Sequence, residues 1–234
     1  MPVFFRRSLI ALLQIIGQAS TMAALLITYL EIVMAVLVGR QAPDFTVPAV
    51  LGTGEIVDQF HLKTTIENRY ALIFFYPLDF TFVCPSELIA LDRAVDEFAK
   101  RNVEVIAVSI DSQFTHHAWR KTPVKDGGIG PVRYTMAADV GHHICRSYGV
   151  EHPQAGVAFR GTFLIDQQGV VRSQVVNDLP IGRDMGDILR VVDALQFTET
   201  HGEVCPANWR PGQPGMTPSP SGVASYLSDH GDKL

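Results

Sequence analysis

The chain has 234 residues, 47% of them apolar and 18% charged, which is enough to bury a core and excludes wholesale disorder. Its formal net charge is −5 and it has no long basic run, so it lacks the clustered Lys and Arg with which a nucleic-acid surface neutralises phosphates. Three cysteines, Cys84, Cys145 and Cys205, are too few and too far apart for a disulfide-stapled secreted domain, and no CxxC pair offers a structural zinc site.

Residues 1–33 form an apolar N-terminal extension. Arg6 and Arg7 precede its long apolar stretch, and Glu31 is the only charge from Ser8 to Gly39. Three readings are open. A signal anchor would span a bilayer, which takes about 20 apolar residues, with the arginines on the cytoplasmic flank. A signal peptide would use Leu9 to Ile16 as its apolar core. Alternatively, translation starts at Met34, where "MAVLVGRQAPDFTVPAV" opens a soluble domain with a short edge strand and an Ala-Pro-Asp turn. The last reading is adopted, with the anchor second. It makes the protein cytoplasmic, whereas the others attach it to a membrane or export it.

From Ala42 strand and helix signals alternate. Tyr70 to Tyr76 is a continuous apolar run, the pattern of a central strand buried on both faces. Ser86 to Arg101 repeats Leu88, Leu91, Val95 and Phe98 at helical spacing. Val103 to Ile110 reads as a second buried strand, Thr115 to Lys121 as a helix, and "KDGGIGPVRY" as a loop. Val140 to Tyr148 reads as a short helix. "GTFLIDQQGVVRSQVV" reads as two strands joined at Gln167-Gln168-Gly169, and Asp184 to Phe197 as an amphipathic helix. Seven residues from Pro206 to Pro220 inclusive are Pro or Gly, which predicts an extended, mobile tail. The order predicts an α/β fold around a mixed sheet. The histidine pairs His116-His117 and His142-His143 read as partly exposed polar residues rather than metal ligands.

Cys84 ends a loop that follows the buried strand. Pro85 suits the first turn of a helix, where its missing N–H is not needed. The sulfur is thereby placed at a helix N-terminus, where unpaired N–H groups and the macrodipole favour thiolate over thiol. Thr81 stands three residues earlier, in the place of the first cysteine of a thioredoxin-like CxxC. Cys84 therefore needs a resolving thiol from elsewhere. Cys145, on a predicted helix beside Ile144, reads as a buried free thiol. Trp119 and Trp209 read as packing or interface residues.

"FYPLDFTFVCPSE" contains Pro77-x-x-x-Thr81-x-x-Cys84 and resembles the signature of peroxiredoxins. "GEVCPANW" around Cys205 resembles the resolving-cysteine motif of the typical two-cysteine subfamily, which includes bacterial alkyl hydroperoxide reductase peroxidase subunits. "APDF", "VSIDSQFTHHAW" and "FRGTFLID" extend the resemblance from about Met34 to the C-terminus. It implies a thioredoxin-like peroxidase domain over 34–200 and a resolving-cysteine segment with an extended tail over 201–234. The implied activity is reduction of hydrogen peroxide and organic hydroperoxides, with no metal, flavin or haem in the subunit. By resemblance Cys84 is the peroxidatic cysteine and Cys205 the resolving one, paired across subunits. Pro77 shields the pocket, Thr81 hydrogen-bonds the peroxide, Arg160 supports the thiolate and Glu87 orients the arginine. The implied partners are thioredoxin or a flavoprotein disulfide reductase, and a second copy of the chain in a homodimer or a decameric ring of dimers. "GGIG" at Gly127 to Gly130 resembles the Gly-Gly-Leu-Gly of peroxide-sensitive members, and Tyr226-Leu227 half-matches their Tyr-Phe, which implies intermediate sensitivity to overoxidation. A general thiol–disulfide oxidoreductase is disfavoured by the missing CxxC, a purely structural role by Thr81, Cys84 and Arg160 together. Nothing in the composition singles out a holdase.

Overall fold

Every residue of strand β3 (Tyr70–Phe75) is buried, and its alternation organises the molecule. The computed structural model describes residues 36–233, so the apolar extension 1–33 lies outside the described residues. From Val38 onward the elements are β1 (Thr46–Val50), β2 (Ile56–His61), α1 (Leu62–Thr65), β3, α2 (Cys84–Lys100), β4 (Val103–Ser109) and α3 (Gln113–Lys121). They continue with β5 (Thr135–Ala138), α4 (His143–Ser147), β6 (Arg160–Ile165), β7 (Val171–Asn177), α5 (Met185–His201) and α6 (Pro220–His230). The strands form one sheet in the order β2-β1-β5-β4-β3-β6-β7. β4 runs parallel to β3 and β5, while the other neighbours are antiparallel. This is the expected mixed sheet.

Period-two alternation sends Tyr70, Leu72 and Phe74 into one core with Leu88, Leu91 and Phe98 of α2 and Val192 of α5. Each fully buried Leu or Phe there contributes about 1.5–3 kcal/mol. On the other face Phe75, Tyr148 and Phe163 pack ring against ring, with centroids 4.9 to 5.7 Å apart. The helix termini follow local chemistry. The Ser112 hydroxyl accepts the Thr115 N–H and starts α3, and the Asp184 carboxylate accepts two N–H groups at the start of α5. Gly202 closes α5 in the left-handed conformation at φ +66°.

Four expectations are corrected. The short strand of the 34–50 stretch, β1, is not at an edge: it lies between β2 and β5, and the edges are β2 and β7. Pro48 cannot donate to a ladder, and the register shifts there, between Val47 and Ala49. Strand β5 follows the glycine loop unannounced, because four residues buried on both faces show no alternation. His116 is fully buried rather than partly exposed, on the face of α3 that also carries Trp119 and Arg120. The tail is not extended throughout. Ser219 caps α6 by accepting the Gly222 N–H at 3.0 Å, and Pro220 sits where a proline is tolerated in a helix. Among the described residues no helix is long and apolar enough to cross a membrane.

Candidate active site

Cys84 is the first residue of α2 and is 1% exposed. Val83 precedes it and supplies no side-chain cap. The Val83 carbonyl accepts the N–H groups of Ser86 and Glu87 and the Ser86 hydroxyl. The positive end of a 17-residue helix is therefore directed at the cysteine.

Arg160 opens β6 and reaches across to this helix end. Its Nη1 lies 3.5 Å from Cys84 Sγ and donates to Glu87 Oε2 at 2.6 Å, while its Nε donates to the Leu179 carbonyl at 2.7 Å. Glu87 lies one turn into α2, 2% exposed. Gly161 follows Arg160 because a side chain there would meet Val150 at 2.9 Å and Phe163 at 3.0 Å. The resemblance places Cys84, Arg160 and Glu87 in one site, and the structure brings them together.

It also brings in Arg183, which the sequence reading missed. Arg183 donates from its backbone N–H and Nε to Glu87 Oε1, both at 2.9 Å, and from Nη2 to Oε2 at 3.0 Å. Nη1 is satisfied by the Gly161 carbonyl and the Thr162 hydroxyl, and the guanidinium carbon lies 3.3 Å over the Phe74 ring. Burial pulls the Arg183 guanidinium down from the usual arginine range; Glu87 and, more weakly, the charge of Cys84 oppose this. The only sequence signal was a lone arginine in "LPIGRDMGD" just before a helix. Two buried guanidinium groups thus share one carboxylate. The remaining positive charge is compensated when Cys84 is a thiolate.

Pro77 is buried in the loop leading to Cys84, and Thr81 is half-buried. The Thr81 hydroxyl donates to the Leu78 carbonyl at 2.7 Å, which commits its proton and leaves its oxygen as an acceptor. Cys205 lies elsewhere. Its sulfur is 3.6 Å from the Ala194 carbonyl and 3.8 Å from the Thr198 hydroxyl of α5. That part of α5 is tied to the far end of α2, through Arg101 to Asp193 at 2.6 Å and Gln196 to the Arg101 carbonyl at 2.6 Å. A helix rises about 1.5 Å per residue, so the 17 residues of α2 set the two thiols of one chain on the order of 20 Å apart. Trp209, 3% exposed, packs on Phe197 at 4.9 Å and steadies the Cys205 segment.

Cys145 is buried, and burial, then the neighbouring Asp139 carboxylate, push its thiol up to about 12. Its sulfur, His142 and Glu151 present ligand-type atoms within 4.8 Å of one another. Each already has a partner: His142 Nδ1 and Arg146 hold Glu151, and the thiol donates to the His142 carbonyl.

Residues 38–174 match the AhpC/TSA family, and residues 194–229 match a family described as the C-terminal domain of 1-Cys peroxiredoxin. This chain nevertheless carries a second cysteine, Cys205, within that segment. The chain is 51% identical over 195 residues to alkyl hydroperoxide reductase C of Buchnera aphidicola subsp. Acyrthosiphon pisum, covering 83% of this chain and 99% of that relative. It is 46% identical over 196 residues to peroxiredoxin-2 of Mus musculus, covering 82% and 96%. The reduced 2-Cys peroxiredoxin of Plasmodium vivax superposes with a TM-score of 0.80 at 48% identity, covering 82% of this chain and 99% of that one.

Proposed function

The chain belongs to the AhpC/TSA family and is a thiol-dependent peroxidase of the two-cysteine type, and from this premise we propose that Cys84 is the thiolate that attacks the peroxide. One observation carries the assignment: Arg160 donates to Glu87 while standing 3.5 Å from the Cys84 sulfur. In the proposed reaction the thiolate attacks one peroxide oxygen in line. An S–O bond forms as the O–O bond breaks, and the leaving oxygen takes up a proton to depart as water or alcohol. Arg160 supports the charge developing along S–O–O, the electrostatic contribution that usually dominates. The Thr81 oxygen accepts the peroxide O–H, and Pro77 keeps the pocket dry. Substrates are hydrogen peroxide and organic hydroperoxides.

The resulting sulfenic acid condenses with the Cys205 thiol of a second copy, releasing water and forming an intersubunit disulfide. The distance between the two thiols within one chain supports the intersubunit route, since disulfide geometry needs Cα atoms within about 7 Å. Burial of Cys84 further requires the first turn of α2 to open. Thioredoxin or a flavoprotein disulfide reductase then restores both thiols. Pairing as a homodimer, and assembly of dimers into a decameric ring, is supported by apolar side chains that the single chain leaves exposed. Phe82 is 98% and Phe114 67% exposed, and Val175 on edge strand β7 is 50% exposed. Intermediate sensitivity to overoxidation and cytoplasmic residence from Met34 belong to the same reading. The family match begins at residue 38, which supports a peroxidase unit that does not use the extension. The alternative is anchoring or export through residues 1–33, and N-terminal sequencing of the natural protein separates the two.

Substitution tests the assignment. Cys84→Ser abolishes peroxide consumption and Cys145→Ser retains it. Cys205→Ser reacts once and fails to turn over with thioredoxin. Wild-type consumption by Cys84→Ser would overturn the assignment.

A further inference from the structure

Cys205 is held on a platform of its own. The second half of α5 is fixed to the body of the domain. The Arg101 guanidinium donates to the two Asp193 oxygens at 2.6 and 3.1 Å, the Gln196 amide donates to the Arg101 carbonyl at 2.6 Å, and the Tyr70 hydroxyl donates to Glu199. The segment that carries Cys205 rests on this platform as a closed loop. Val204 and Met216 exchange two backbone hydrogen bonds, each at 2.9 Å. Inside the loop the Trp209 indole N–H donates to the Gln213 carbonyl at 3.1 Å. The Trp209 ring packs on Phe197 of α5, and a side chain at Gly215 would meet that same ring at 2.6 Å.

At the sulfur the partners are acceptors. The Thr198 hydroxyl donates its one proton to the Ala194 carbonyl at 2.9 Å, so it turns a lone pair to Cys205 Sγ, 3.8 Å away. The Cys205 thiol donates to the same carbonyl at 3.6 Å. Cys84 is placed the other way round, with the N-terminus of α2 and an Arg160 N–H directed at it. Attack on an oxidised sulfur uses the thiolate. On α5 a Cys205 sulfur without its proton would face two oxygens, so reaction follows release of the thiol from this dock.

We propose that Thr198 sets the rate of disulfide formation: its hydroxyl restrains the Cys205 thiol on α5, and lifting that restraint precedes condensation with the Cys84 sulfenic acid. In the condensation the S–S bond forms, the S–OH bond breaks, and the thiol proton leaves with the hydroxyl as water. This rests on reading Cys84 and Cys205 as the attacking and resolving pair. The longer the thiol stays on α5, the longer the sulfenic acid is open to a second peroxide. The test gives one pulse of hydrogen peroxide to the reduced full-length protein, quenches with acid at intervals, and counts disulfide and sulfinic acid by mass spectrometry. Thr198→Val keeps the shape and removes the hydroxyl. It should form the Cys84–Cys205 disulfide about 2- to 10-fold faster, the weight of one net hydrogen bond, and leave less sulfinic acid, while oxidation of Cys84 itself holds. In a Cys84→Ser background its Cys205 should be alkylated by iodoacetamide faster by a similar factor. Thr198→Ser, which keeps the oxygen, should stay near wild type in both. An unchanged or slower disulfide in Thr198→Val overturns the proposal, as does a Ser variant as fast as Val or a parallel change in Cys84 oxidation. If Thr198→Val fails to fold, Thr198→Ala and Thr198→Ser decide on the same criteria. A wild type that forms no Cys84–Cys205 disulfide overturns the reading beneath the proposal and the proposal with it, before any Thr198 variant is compared.

Discussion

Glu87 joins two buried arginines beside the Cys84 sulfur. It accepts from Arg160 and Arg183, whose side chains are 4% and 3% exposed. Breaking a buried ionic pair costs about 3–5 kcal/mol, because the abandoned charge has no water to replace its partner. Glu87→Gln is therefore expected to lower the unfolding free energy, read from urea denaturation, by an amount in that range and to slow peroxide consumption through a misdirected Arg160. Cys145 makes a prediction about pH. Its folded thiol is pushed up to about 12 from an ordinary value of 9.0. A group raised on folding stabilises fully below its unfolded value, and the contribution is lost as pH climbs through the folded one. Stability should thus fall between pH 9 and about 12, and Cys145→Ala should flatten this limb in part, since Tyr70 is also pushed up to about 12. The same burial keeps native Cys145 unreactive towards iodoacetamide near neutral pH until the protein unfolds.

At the scale of elements, the sheet positions the sulfur and the helices hold the sheet. Arg120 of α3 ties the turn after β1 to the loop before β5, beyond the residues those two strands pair. Its guanidinium donates to the carbonyls of Leu51 and Val132, each at 2.6 Å, and of Gly52 at 3.0 Å. A lysine carries the same charge but not the planar fork. Arg120→Lys should leave buried carbonyls unpaired and cost roughly 1–3 kcal/mol, measurable by chemical denaturation with little change in peroxide rate. Elements with strong local signals were legible: β3 and β4 are apolar runs of six and seven residues, and α2 repeats its apolar residues at helical spacing. β5 and α6 were not. The first is too short to show a period. The second hides behind Pro218, Pro220 and Gly222, and only the Ser219 cap marks its start.

For the whole molecule, the separation of Cys84 from Cys205 predicts a covalent pair of chains. Peroxide should convert the protein to a dimer on non-reducing gels, and mass spectrometry should recover a peptide joining Cys84 to Cys205. Cys205→Ser should remain monomeric on the same gel. A peroxide-driven disulfide that leaves the chain monomeric there would contradict the intersubunit route.

The sequence by itself determined that a cysteine stands at a helix N-terminus behind a buried strand. Apolar runs, Pro85 and helical spacing are local, and local chemistry settles such features within a few turns of chain. Only the tertiary structure decided what surrounds the sulfur. Arg160 and Glu87 are 73 residues apart, and Arg183 and Glu87 are 96 apart. Folding β6 and the start of α5 against α2 makes one charged cluster of them, because two buried guanidinium groups must find a carboxylate where water is excluded. The place of Cys205 was decided the same way. The side chains of Phe197 and Trp209 pack on each other at the far end of α2, and the Cys205 thiol goes where that packing takes it.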